Sequence, residues 1–359
     1  MRTAIVTGSG GLIGSESVRA LVAAGYRVIG LENDTRAELF GPSASTARQT
    51  QRLVAAHEEF TSLGVDIRDA AGVESIFRLH RRELELVVHT AAQPSHDWAG
   101  AAPQVDFAIN ANGTLNLLEA TRLHAPDATF VFTSTNKVYG DTPNHLPLVE
   151  RDTRLELSEA HPWHGGIDTS MSIDGCLHSL FGASKAAADL LVQEYGRYYG
   201  LPTVCFRCGC LTGPAHAGTE LHGFLSYLMR CAVSGTPYTV FGYGGKQVRD
   251  NLASEDLVRA FLLFHAQPRA GAVYNLGGGR VSNCSMLEAI AESERIAGRR
   301  LDWTLNSEAR IGDHRWWISD LAAFQADYPA WAPTLDTAAL LRAIHKENAE
   351  RWAGRAIAA

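Results

Sequence analysis

A glycine-rich turn near the start of the chain limits the folds open to this sequence more than any other feature. Glycines at positions 8, 11 and 14 lie between an apolar run, Thr3 to Val6, and an amphipathic run, Ile13 to Ala24. Glycine permits a tight turn and lets backbone approach a pyrophosphate, which the unpaired N–H groups at the following helix start attract. The pattern therefore predicts a strand–turn–helix unit that binds a dinucleotide. The candidate cofactor residues in this turn are Gly8, Gly10, Gly11, Leu12, Ile13 and Gly14.

The first part of the chain alternates short apolar runs with amphipathic segments, which is typical of βαβ units around a parallel sheet. The predicted strands are Thr3 to Val6, Arg27 to Leu31, Glu85 to His89, Thr129 to Thr133 and Thr203 to Arg207. The predicted helices between them are Ile13 to Ala24, Ala70 to Leu79, Phe107 to Leu123 and Ala183 to Tyr199. We expect an α/β protein with a Rossmann-type, doubly wound parallel sheet.

The regular alternation stops after about residue 211. We expect residues 1–211 to form the dinucleotide-binding domain and residues 212–359 to form mainly a smaller C-terminal α/β substrate lobe. The chain is expected to cross between the two lobes more than once. The helices predicted in the second part are Phe224 to Val233, Ser254 to His265 and Met286 to Ala297.

Glu32 ends the second predicted strand, at the distance from the glycine turn where a carboxylate accepts hydrogen bonds from an adenosine ribose. A carboxylate there repels a 2′-phosphate, which favours NAD over NADP. Arg36 is suited to such a phosphate, but a solvated loop cation is the simpler interpretation. The other cofactor candidates follow later strands or lie on the supporting helix: Asn33, Asp66, Ile67, Thr90, Ala91, Ala92, Gln93, Asn110, Thr133 and Cys208.

Composition limits the partners and the location. A net charge of -7 and a pI near 6.1 provide no basic field that would recruit nucleic acid or an anionic membrane. No apolar run approaches the roughly 20 residues of a membrane span, and we expect no signal peptide. Six cysteines without framework spacing indicate reduced thiols and a cytoplasmic protein. Cys208 and Cys210 lie close together in sequence, and we expect no metal site.

Four short segments carry a resemblance to a known family. They are residues 113–120 (GTLNLLEA), 133–140 (TSTNKVYG), 245–250 (GKQVRD) and 275–279 (NLGGG). Together with the glycine turn, they make nearly the whole chain similar to extended short-chain dehydrogenases/reductases that epimerise or dehydrate nucleotide sugars. Within that family the chain most resembles the CDP-tyvelose (CDP-paratose) 2-epimerases.

The resemblance implies a mechanism in which NAD stays bound, a sugar carbon is oxidised to a ketone, and the hydride returns to the opposite face. It also implies that the Thr135 hydroxyl bonds the reacting oxygen and that Lys185 assists the acid–base residue and holds the nicotinamide ribose. The family places a Tyr four residues before this Lys. Here that position is Phe181, which cannot exchange a proton, within residues 181–185 (FGASK).

Without a phenol, either another group takes the proton or the hydroxyl loses it through water. His178 is a candidate because imidazole titrates near neutrality. Asp174, Cys208 and Cys210 are alternatives, and residues 166–174 are predicted to be a loop that enters the site. The sequence leaves the choice among them open.

The resemblance also places two arginines, Arg249 and Arg310, in the substrate lobe. A guanidinium is always charged and binds phosphate in a bidentate manner, so the pair is suited to the diphosphate of a nucleotide sugar. The remaining substrate-binding candidates are Gln93, Thr135 and Asn136.

Three functions remain open at this point. The first is an NAD-dependent epimerase of a nucleotide-linked sugar. The second is an NAD-dependent dehydratase of a sugar nucleotide or nucleoside, because a transient ketone acidifies the neighbouring C–H and permits loss of water. The third is a catalytically inactive nucleotide-binding protein. The resemblance further implies a homodimer through the helices Phe107 to Leu123 and Ala183 to Tyr199, although their apolar spacing is equally compatible with core packing.

Overall fold

The computed structural model describes residues 2–216, 218 and 223–353. In chain order the strands are β1 (Thr3–Thr7), β2 (Arg27–Leu31), β3 (Phe60–Leu63), β4 (Leu84–His89), β5 (Thr129–Thr135), β6 (Leu148–Glu150), β7 (Leu155–Leu157), β8 (Thr203–Cys208), β9 (Cys210–Thr212), β10 (Tyr238–Phe241), β11 (Val248–Ala253), β12 (Ala272–Leu276), β13 (Asn283–Ser285), β14 (Trp303–Asn306) and β15 (Trp316–Trp317). The α-helices are α1 (Leu12–Ala23), α2 (Thr35–Phe40), α3 (Ala47–Ala56), α4 (Ala70–His80), α5 (His96–Ala101), α6 (Pro103–Phe107), α7 (Gly113–His124), α8 (Ser179–Tyr199), α9 (Phe224–Ser234), α10 (Ser254–Ala266), α11 (Met286–Ala297), α12 (Ala322–Asp327) and α13 (Thr337–Ala353).

Seven strands form the central sheet in the order β3-β2-β1-β4-β5-β8-β12. Strands β3, β2, β1, β4 and β5 pair in parallel. The direction of winding reverses between β1 and β4, and ligands of such sheets bind beyond the carboxyl ends of the strands at this point. The predicted Rossmann-type α/β fold is thereby confirmed.

The chain divides into two compact units. The first, here called the sheet unit, comprises Met1–Val138, Ser179–Arg207 and Leu257–Tyr274. The second unit comprises Tyr139–His178, Cys208–Asp256 and Asn275–Ala359. Each unit therefore contains three separate stretches of chain.

The sheet unit encloses a core of aliphatic and aromatic side chains between the sheet and its helices. Among its fully buried members are Ile5, Ile29, Val87, Phe130, Leu117, Leu118 and Val192. Burial of each such side chain contributes roughly 1.5–3 kcal/mol relative to exposure. The second unit has its own core, built on helices α9, α11 and α13 and including Leu228, Ile290 and Ile344. This separate core explains why the units are compact on their own.

The segment 139–178 belongs to the second unit, whereas the sequence pattern placed every residue up to 211 in the first lobe. Its contacts are long-range: the Ile167 backbone N–H donates to the Ile318 carbonyl at 2.7 Å, and the Asn275 side-chain amide donates to the Ile167 carbonyl at 2.8 Å. Local periodicity carries no information on such pairings.

The helix predicted from Phe107 to Leu123 is interrupted. Helix α6 ends at Phe107, a π-helical turn covers Ala108–Asn112, and α7 begins at Gly113. Such π-turns are frequent at functional sites. A Cβ on Gly113 would lie only 2.6 Å from the Ile67 side chain, so glycine at this position admits the close packing of Ile67. The short helices α2 and α3, which periodicity did not indicate, follow β2.

None of the helices in the described part of the chain is long and apolar enough to cross a membrane.

Candidate active site

The glycine turn has the strand–turn–helix geometry that its sequence predicts. Gly8 has a φ of +64°, and its N–H donates to the Leu31 carbonyl at 2.8 Å, which ties the turn to β2. The Gly11 N–H donates to the Gly8 carbonyl at 2.9 Å, and α1 begins at the next residue. A Cβ on Gly14 would lie 2.0 Å from the Gly8 carbonyl oxygen. Gly14 is therefore required for close packing of the helix on the turn.

The outer side of this turn provides room for an anion. A Cβ on Gly11 would meet only the Gly8 carbonyl oxygen, at 3.2 Å, and no side chain caps the start of α1. The helix start thus offers backbone N–H groups at its positive end. Ser9 is buried within the turn, and among the described side chains its Oγ has no hydrogen-bond partner. These features fit the pyrophosphate of a dinucleotide.

Glu32 follows β2 and closes onto the turn. Its Oε2 accepts a hydrogen bond from the Gly10 N–H at 2.9 Å, and its Oε1 accepts one from the Asp34 N–H at 2.8 Å. Each carboxylate oxygen has a second lone pair for a ribose hydroxyl. A Cβ on Gly10 would lie 2.4 Å from Thr50 Oγ1 on α3. Helix α3 therefore packs over the turn, a contact that the sequence pattern did not predict.

The neighbouring polar candidates are engaged with one another. The Asn33 amide donates to Asp66 at 2.9 Å, and the Arg68 guanidinium forms an ion pair with the same carboxylate at 2.6 Å. Hydrogen bonds from Arg68 hold the pKa of Asp66 below its usual value. Burial lowers the pKa of the Arg36 guanidinium, whereas the nearby charges of Glu32 and Asp34 raise it. Arg36 is thus a partly buried cation beside two carboxylates, not the solvated loop cation of the simpler interpretation.

The end of β4 lies beside the turn through a chain of hydrogen bonds. Buried His89 bonds Thr7 Oγ1 through Nδ1 at 2.8 Å and Thr114 Oγ1 through Nε2 at 2.9 Å. Thr7 Oγ1 also accepts from the Ala91 N–H at 3.1 Å, and the Thr90 hydroxyl donates to the Thr7 carbonyl at 2.7 Å. Burial, with a smaller effect of Lys185, lowers the pKa of His89 well below its usual value. The ring is therefore neutral at neutral pH.

Ala92 and Gln93 continue the chain after Ala91, and Gln93 belongs to a buried polar network. Its amide donates to Asp106 Oδ1 at 2.6 Å, and its N–H donates to Asn110 Oδ1 at 2.9 Å. The Asn110 amide donates to Asp106 and to Ser184 Oγ, each at 3.0 Å. Burial raises the pKa of Asp106, whereas hydrogen bonds from Ser184 and Gln93 and the charge of Lys185 lower it. Gln93 and Asn110 thus fix the loop after β4 to helix α8.

Lys185 is 4% exposed on α8 and lies against the carboxyl end of β5. Its Nζ donates to the Thr133 carbonyl at 3.0 Å and lies 4.2 Å from the centre of the Phe132 ring. Thr135 ends the strand, where its Oγ1 accepts from the Lys137 N–H at 3.2 Å and donates to Asn136 Oδ1 at 3.4 Å. The structure therefore brings Lys185 to the strand end that carries Thr133 and Thr135.

Helix α8 is anchored behind Lys185 by a buried ion pair. The Arg207 guanidinium donates to both Asp189 carboxylate oxygens, at 3.1 and 2.7 Å. The Ser134 hydroxyl and the Gln193 amide also donate to Asp189, at 2.5 and 2.6 Å. Strands β5 and β8 and helix α8 are thereby joined, which holds Lys185 in place.

Phe181 lies one turn before Lys185 and packs against His96, which sequence reasoning missed. The two rings are 4.9 Å apart at their centres and meet edge to face at 68°. His96 Nδ1 is 2.8 Å from Ser179 Oγ. Ser179 starts α8 with a φ of +61°, which is uncommon for a residue with a side chain. The sequence around His96 does not indicate this contact, because its partners Ser179 and Phe181 lie on a helix that is distant in sequence.

The substrate candidates Arg249 and Arg310 lie in the second unit. Arg249, on β11, forms an ion pair with Asp313 and donates to the Val248 carbonyl at 2.8 Å. The Arg310 guanidinium lies 4.1 Å from the centre of the Phe241 ring. Both arginines therefore already have partners within this unit.

The side chains that the sequence offered as proton acceptors also lie in the second unit. His178 Nε2 bonds the Ile173 carbonyl at 2.8 Å and Cys176 Sγ at 3.4 Å, and its Nδ1 is buried without a hydrogen-bond partner among the described residues. Cys208 is 2% exposed at the end of β8. Cys210 is half-buried and Asp174 is exposed. His178 thus has its ring held inside its own loop.

The described residues contain no group of three or more His, Cys, Asp or Glu side chains placed to hold a metal ion. The six cysteines, all within the described ranges, form no disulfide with one another.

Comparisons with known proteins place the chain among relatives with the same fold. The model of the NAD dependent epimerase/dehydratase family matches residues 4–277. The chain is 30% identical to the CDP-paratose 2-epimerase of Salmonella typhi, over 88% of this chain and 90% of that protein. It is 29% identical to the dTDP-glucose 4,6-dehydratase of Escherichia coli, over 81% of this chain and 78% of that protein.

A relative of known structure has the same fold as this chain. The UDP-glucose 4-epimerase of Thermus thermophilus, in complex with NAD, superimposes with a TM-score of 0.76. It is 26% identical, and the match covers 97% of this chain and 99% of that one. The predicted resemblance, the predicted fold and the prediction of NAD as cofactor are confirmed at the level of the family. The chain belongs to the NAD dependent epimerase/dehydratase family.

Proposed function

We propose that the protein is an NAD-dependent epimerase that inverts a carbon of a nucleotide-linked sugar through a transient ketone. The observation that carries this proposal is buried Lys185, held at the carboxyl end of β5 beside Thr133 and Thr135. A buried ammonium is costly unless it is paired or used, and the partners of this one include a carbonyl oxygen and a ring face. The similarity to a CDP-paratose 2-epimerase supports the same assignment.

The cofactor would be held by the sheet unit. The glycine turn, from Gly8 to Gly14, would hold the pyrophosphate, and Glu32 would accept from the adenosine ribose. The remaining proposed contacts are Asn33, Arg36, Asp66, Ile67, Thr90, Ala91, Ala92, Gln93, Asn110, Thr133, Lys185 and Cys208. When bound, NAD supplies a hydride acceptor and donor.

The protein's own groups would handle the sugar oxygen. The Lys185 charge would stabilise negative charge on a reacting oxygen, and the Thr135 hydroxyl would donate to that oxygen. The ring of Phe181 supplies no proton acceptor. The proton would therefore go to a different side chain from the one that the family uses, or to water.

For the second unit we propose a role in substrate binding, as expected for residues 212–359, with residues 1–211 binding the cofactor. Arg249 and Arg310 would bind the diphosphate, and Gln93, Thr135 and Asn136 the sugar. The Arg249–Asp313 ion pair holds the guanidinium in position before the phosphate arrives. Loss of either arginine should raise KM more than it lowers kcat.

A dehydratase is the second candidate, because several relatives of the chain are dTDP-glucose 4,6-dehydratases at about the same identity as the epimerase. Both reactions pass through a ketone next to an acidified C–H. They differ in whether water is then lost.

The test is incubation of the NAD-loaded protein with CDP-, UDP-, GDP-, ADP- and dTDP-sugars in deuterated water, followed by NMR and mass spectrometry. Epimerisation predicts a new diastereomer without solvent deuterium at the reacting carbon. Dehydration predicts a product lighter by one water. A protein that binds NAD and changes no sugar is a binding protein, and one that binds no NAD contradicts the whole proposal.

A Lys185→Met variant tests the carrying observation. We expect kcat to fall by about 100- to 1,000-fold, as for loss of one charge-stabilising donor. Lys346→Met, on the exposed face of α13, is the matched control and should leave kcat unchanged. Equal activity of the two variants would contradict a catalytic role for Lys185.

We also propose a homodimer formed through α8 and the segment preceding α7. A groove of about 380 Å³ lies there, lined mainly by apolar residues including Phe107, Ala111, Leu190 and Leu191. Phe107 and Leu190 both line this groove and are 45% and 44% exposed. Exposed apolar residues that lie together in this way are typical of protein–protein contact surfaces. Sedimentation should give a dimer that Leu190→Asp dissociates and that Leu79→Asp, at an exposed leucine on α4, leaves intact. The predicted cytoplasmic location stays a prediction.

A further inference from the structure

The start of helix α8 combines four features at the position where the phenol is missing. Phe181 is 7% exposed, and its ring meets the His96 ring edge to face. The Ser179 hydroxyl oxygen lies 2.8 Å from His96 Nδ1. Lys185 follows Phe181 by four residues, so the two share one helix face. We propose that His96 accepts the proton of the reacting hydroxyl in place of the absent phenol, positioned by Ser179 and Phe181.

The backbone conformation of Ser179 supports the view that the contacts around it are required by the fold. A residue with a Cβ is strained in the left-handed region, and such strain persists where the surrounding contacts require it. Here Ser179 Oγ accepts from the Gly182 N–H at 3.2 Å and bonds His96 Nδ1 on its other side. The strained residue therefore serves both as a cap for the helix and as a partner for the imidazole.

The proposed role requires the proton of the neutral His96 ring on Nδ1, one of the two tautomers that this contact permits. A serine oxygen that already accepts from Gly182 retains a lone pair for His96 Nδ1–H. In that arrangement the neutral ring carries its proton on Nδ1 and takes up a second one at Nε2, the logic of a base oriented by a third group. In the step, the O–H bond of the sugar hydroxyl breaks and an N–H bond forms on the ring. The return step reverses both changes.

The Phe181 ring packs against the His96 ring and helps to hold it in place. The edge-to-face contact restricts rotation of the imidazole, as aromatic pairs prefer this geometry. His96 is half-buried, so its charged form retains some solvation. Helices α6 and α8, which pack against α5, carry Asp106 and Lys185 among their charged residues, and Asp97 follows His96 on α5.

His96 fits this role better than His178 does. His178 Nε2 bonds a backbone carbonyl in its own loop, and its Nδ1 is enclosed there. His96 instead bonds a hydroxyl on the same helix that carries Phe181 and Lys185.

The proposal rests on the proposed function for its activity test, and it has a second readout that needs no sugar. In protein labelled with ¹³C-histidine and saturated with NAD, the signal that His96→Gln removes should titrate reversibly between about pH 5 and 8. Ser179→Ala should shift this midpoint. A His96 signal that shows no titration from about pH 5 to 9 overturns the proposal, whether or not a substrate is known.

With a converted sugar in hand, His96→Ala should lower kcat by about 100- to 10,000-fold with a much smaller change in KM, and added imidazole should restore part of it. His145→Ala, at a side chain that is 69% exposed, is the matched control and should change nothing. NAD binding and thermal unfolding of His96→Ala and His96→Gln confirm that each variant is folded.

The outcomes separate the two proposals. Activity of His96→Ala within about threefold of the parent, far from the loss expected for a missing base, overturns the assignment of His96 and leaves the epimerase proposal standing. A parent protein that converts none of the sugars overturns the proposed function, and the histidine titration then decides on His96 alone. Phe181→Tyr should not raise kcat, because the proton already has an acceptor.

Discussion

Two helices of the sheet unit begin at the site, and they begin in opposite ways. Helix α1 starts at Leu12, and its turn is held by glycines that lie within a few residues of one another in sequence. Helix α8 starts at Ser179, and the group that its first turn contacts, His96, lies 83 residues earlier in the chain. The first start is determined by local backbone freedom. The second is determined by contacts between distant segments.

This difference explains why one start is easily recognised in sequence and the other is not. A turn that needs glycine at defined positions can be recognised from the spacing of those glycines in the sequence. A site assembled from the start of α5 and the start of α8 contains a histidine, a serine and a phenylalanine that have no characteristic spacing. The comparison predicts that the two regions differ in what supports them, and the following variants test this.

The largest expected effect is on the support behind α8. Asp189→Ala removes a buried carboxylate that pairs with Arg207 and accepts hydrogen bonds from Ser134 and Gln193, and breaking a buried pair in this way costs about 3–5 kcal/mol in the free energy of unfolding. Urea unfolding of the variant and of Glu194→Ala, an exposed position on the same helix, measures the difference. A loss below about 1 kcal/mol would show that α8 does not depend on this long-range contact.

The glycine turn should lose somewhat less, and Gly14 and Gly11 should differ in what they lose. Gly14→Ala places a Cβ 2.0 Å from the Gly8 carbonyl oxygen, so the helix must shift, at about 3 kcal/mol. Gly11→Ala, whose Cβ would meet only one atom at 3.2 Å, should cost less than about 1 kcal/mol yet weaken NAD binding. Urea unfolding and calorimetric NAD titration measure the two effects. Equal destabilisation by both variants would remove the distinction between packing and ligand-facing glycines.

The network behind the turn should make stability depend on pH. Burial keeps His89 neutral when folded, with a pKa well below the usual 6.5, while the unfolded chain binds a proton there. Its contribution is therefore fully present above about pH 6.5 and is lost as pH falls, by roughly 1.4 kcal/mol per pH unit. His89→Gln should reduce this slope by that amount in urea unfolding between about pH 7 and 5. An unchanged slope would mean that another group dominates acid destabilisation.

The smallest effect expected concerns the strained residue at α8. Ser179→Gly should be more stable than Ser179→Ala by about 1 kcal/mol, because only glycine adopts a φ of +61° without strain. At exposed Ala183 in the same helix, Ala183→Gly should instead destabilise by about 0.5–1 kcal/mol. Thermal unfolding of the set compares the signs. The same sign at both positions would show that Ser179 carries no strain.

Much of the fold followed from periodicity. The five strands predicted before residue 211 are present within two residues at each end, and α4, α9, α10 and α11 begin at the predicted residues. The segments that periodicity misplaced have a common cause. The π-turn at Ala108–Asn112 surrounds Asn110, whose amide bonds reach Asp106 and Ser184, and the pairing of residues 139–178 with the second unit depends on Ile167. Both depend on partners far away in sequence.

By itself, the sequence determined the cofactor turn, the positions of five strands along the chain, the family resemblance and the position of the missing phenol. These are properties of residue type and spacing: glycine where backbone approaches backbone, and apolar side chains where a strand is buried. Only the tertiary structure decided that Ser179 is strained, that α3 packs over Gly10 and that His96 stands against Phe181. Folding brings these groups together because burial of the apolar core draws distant segments to the same end of the sheet, and no local pattern records which side chains then meet.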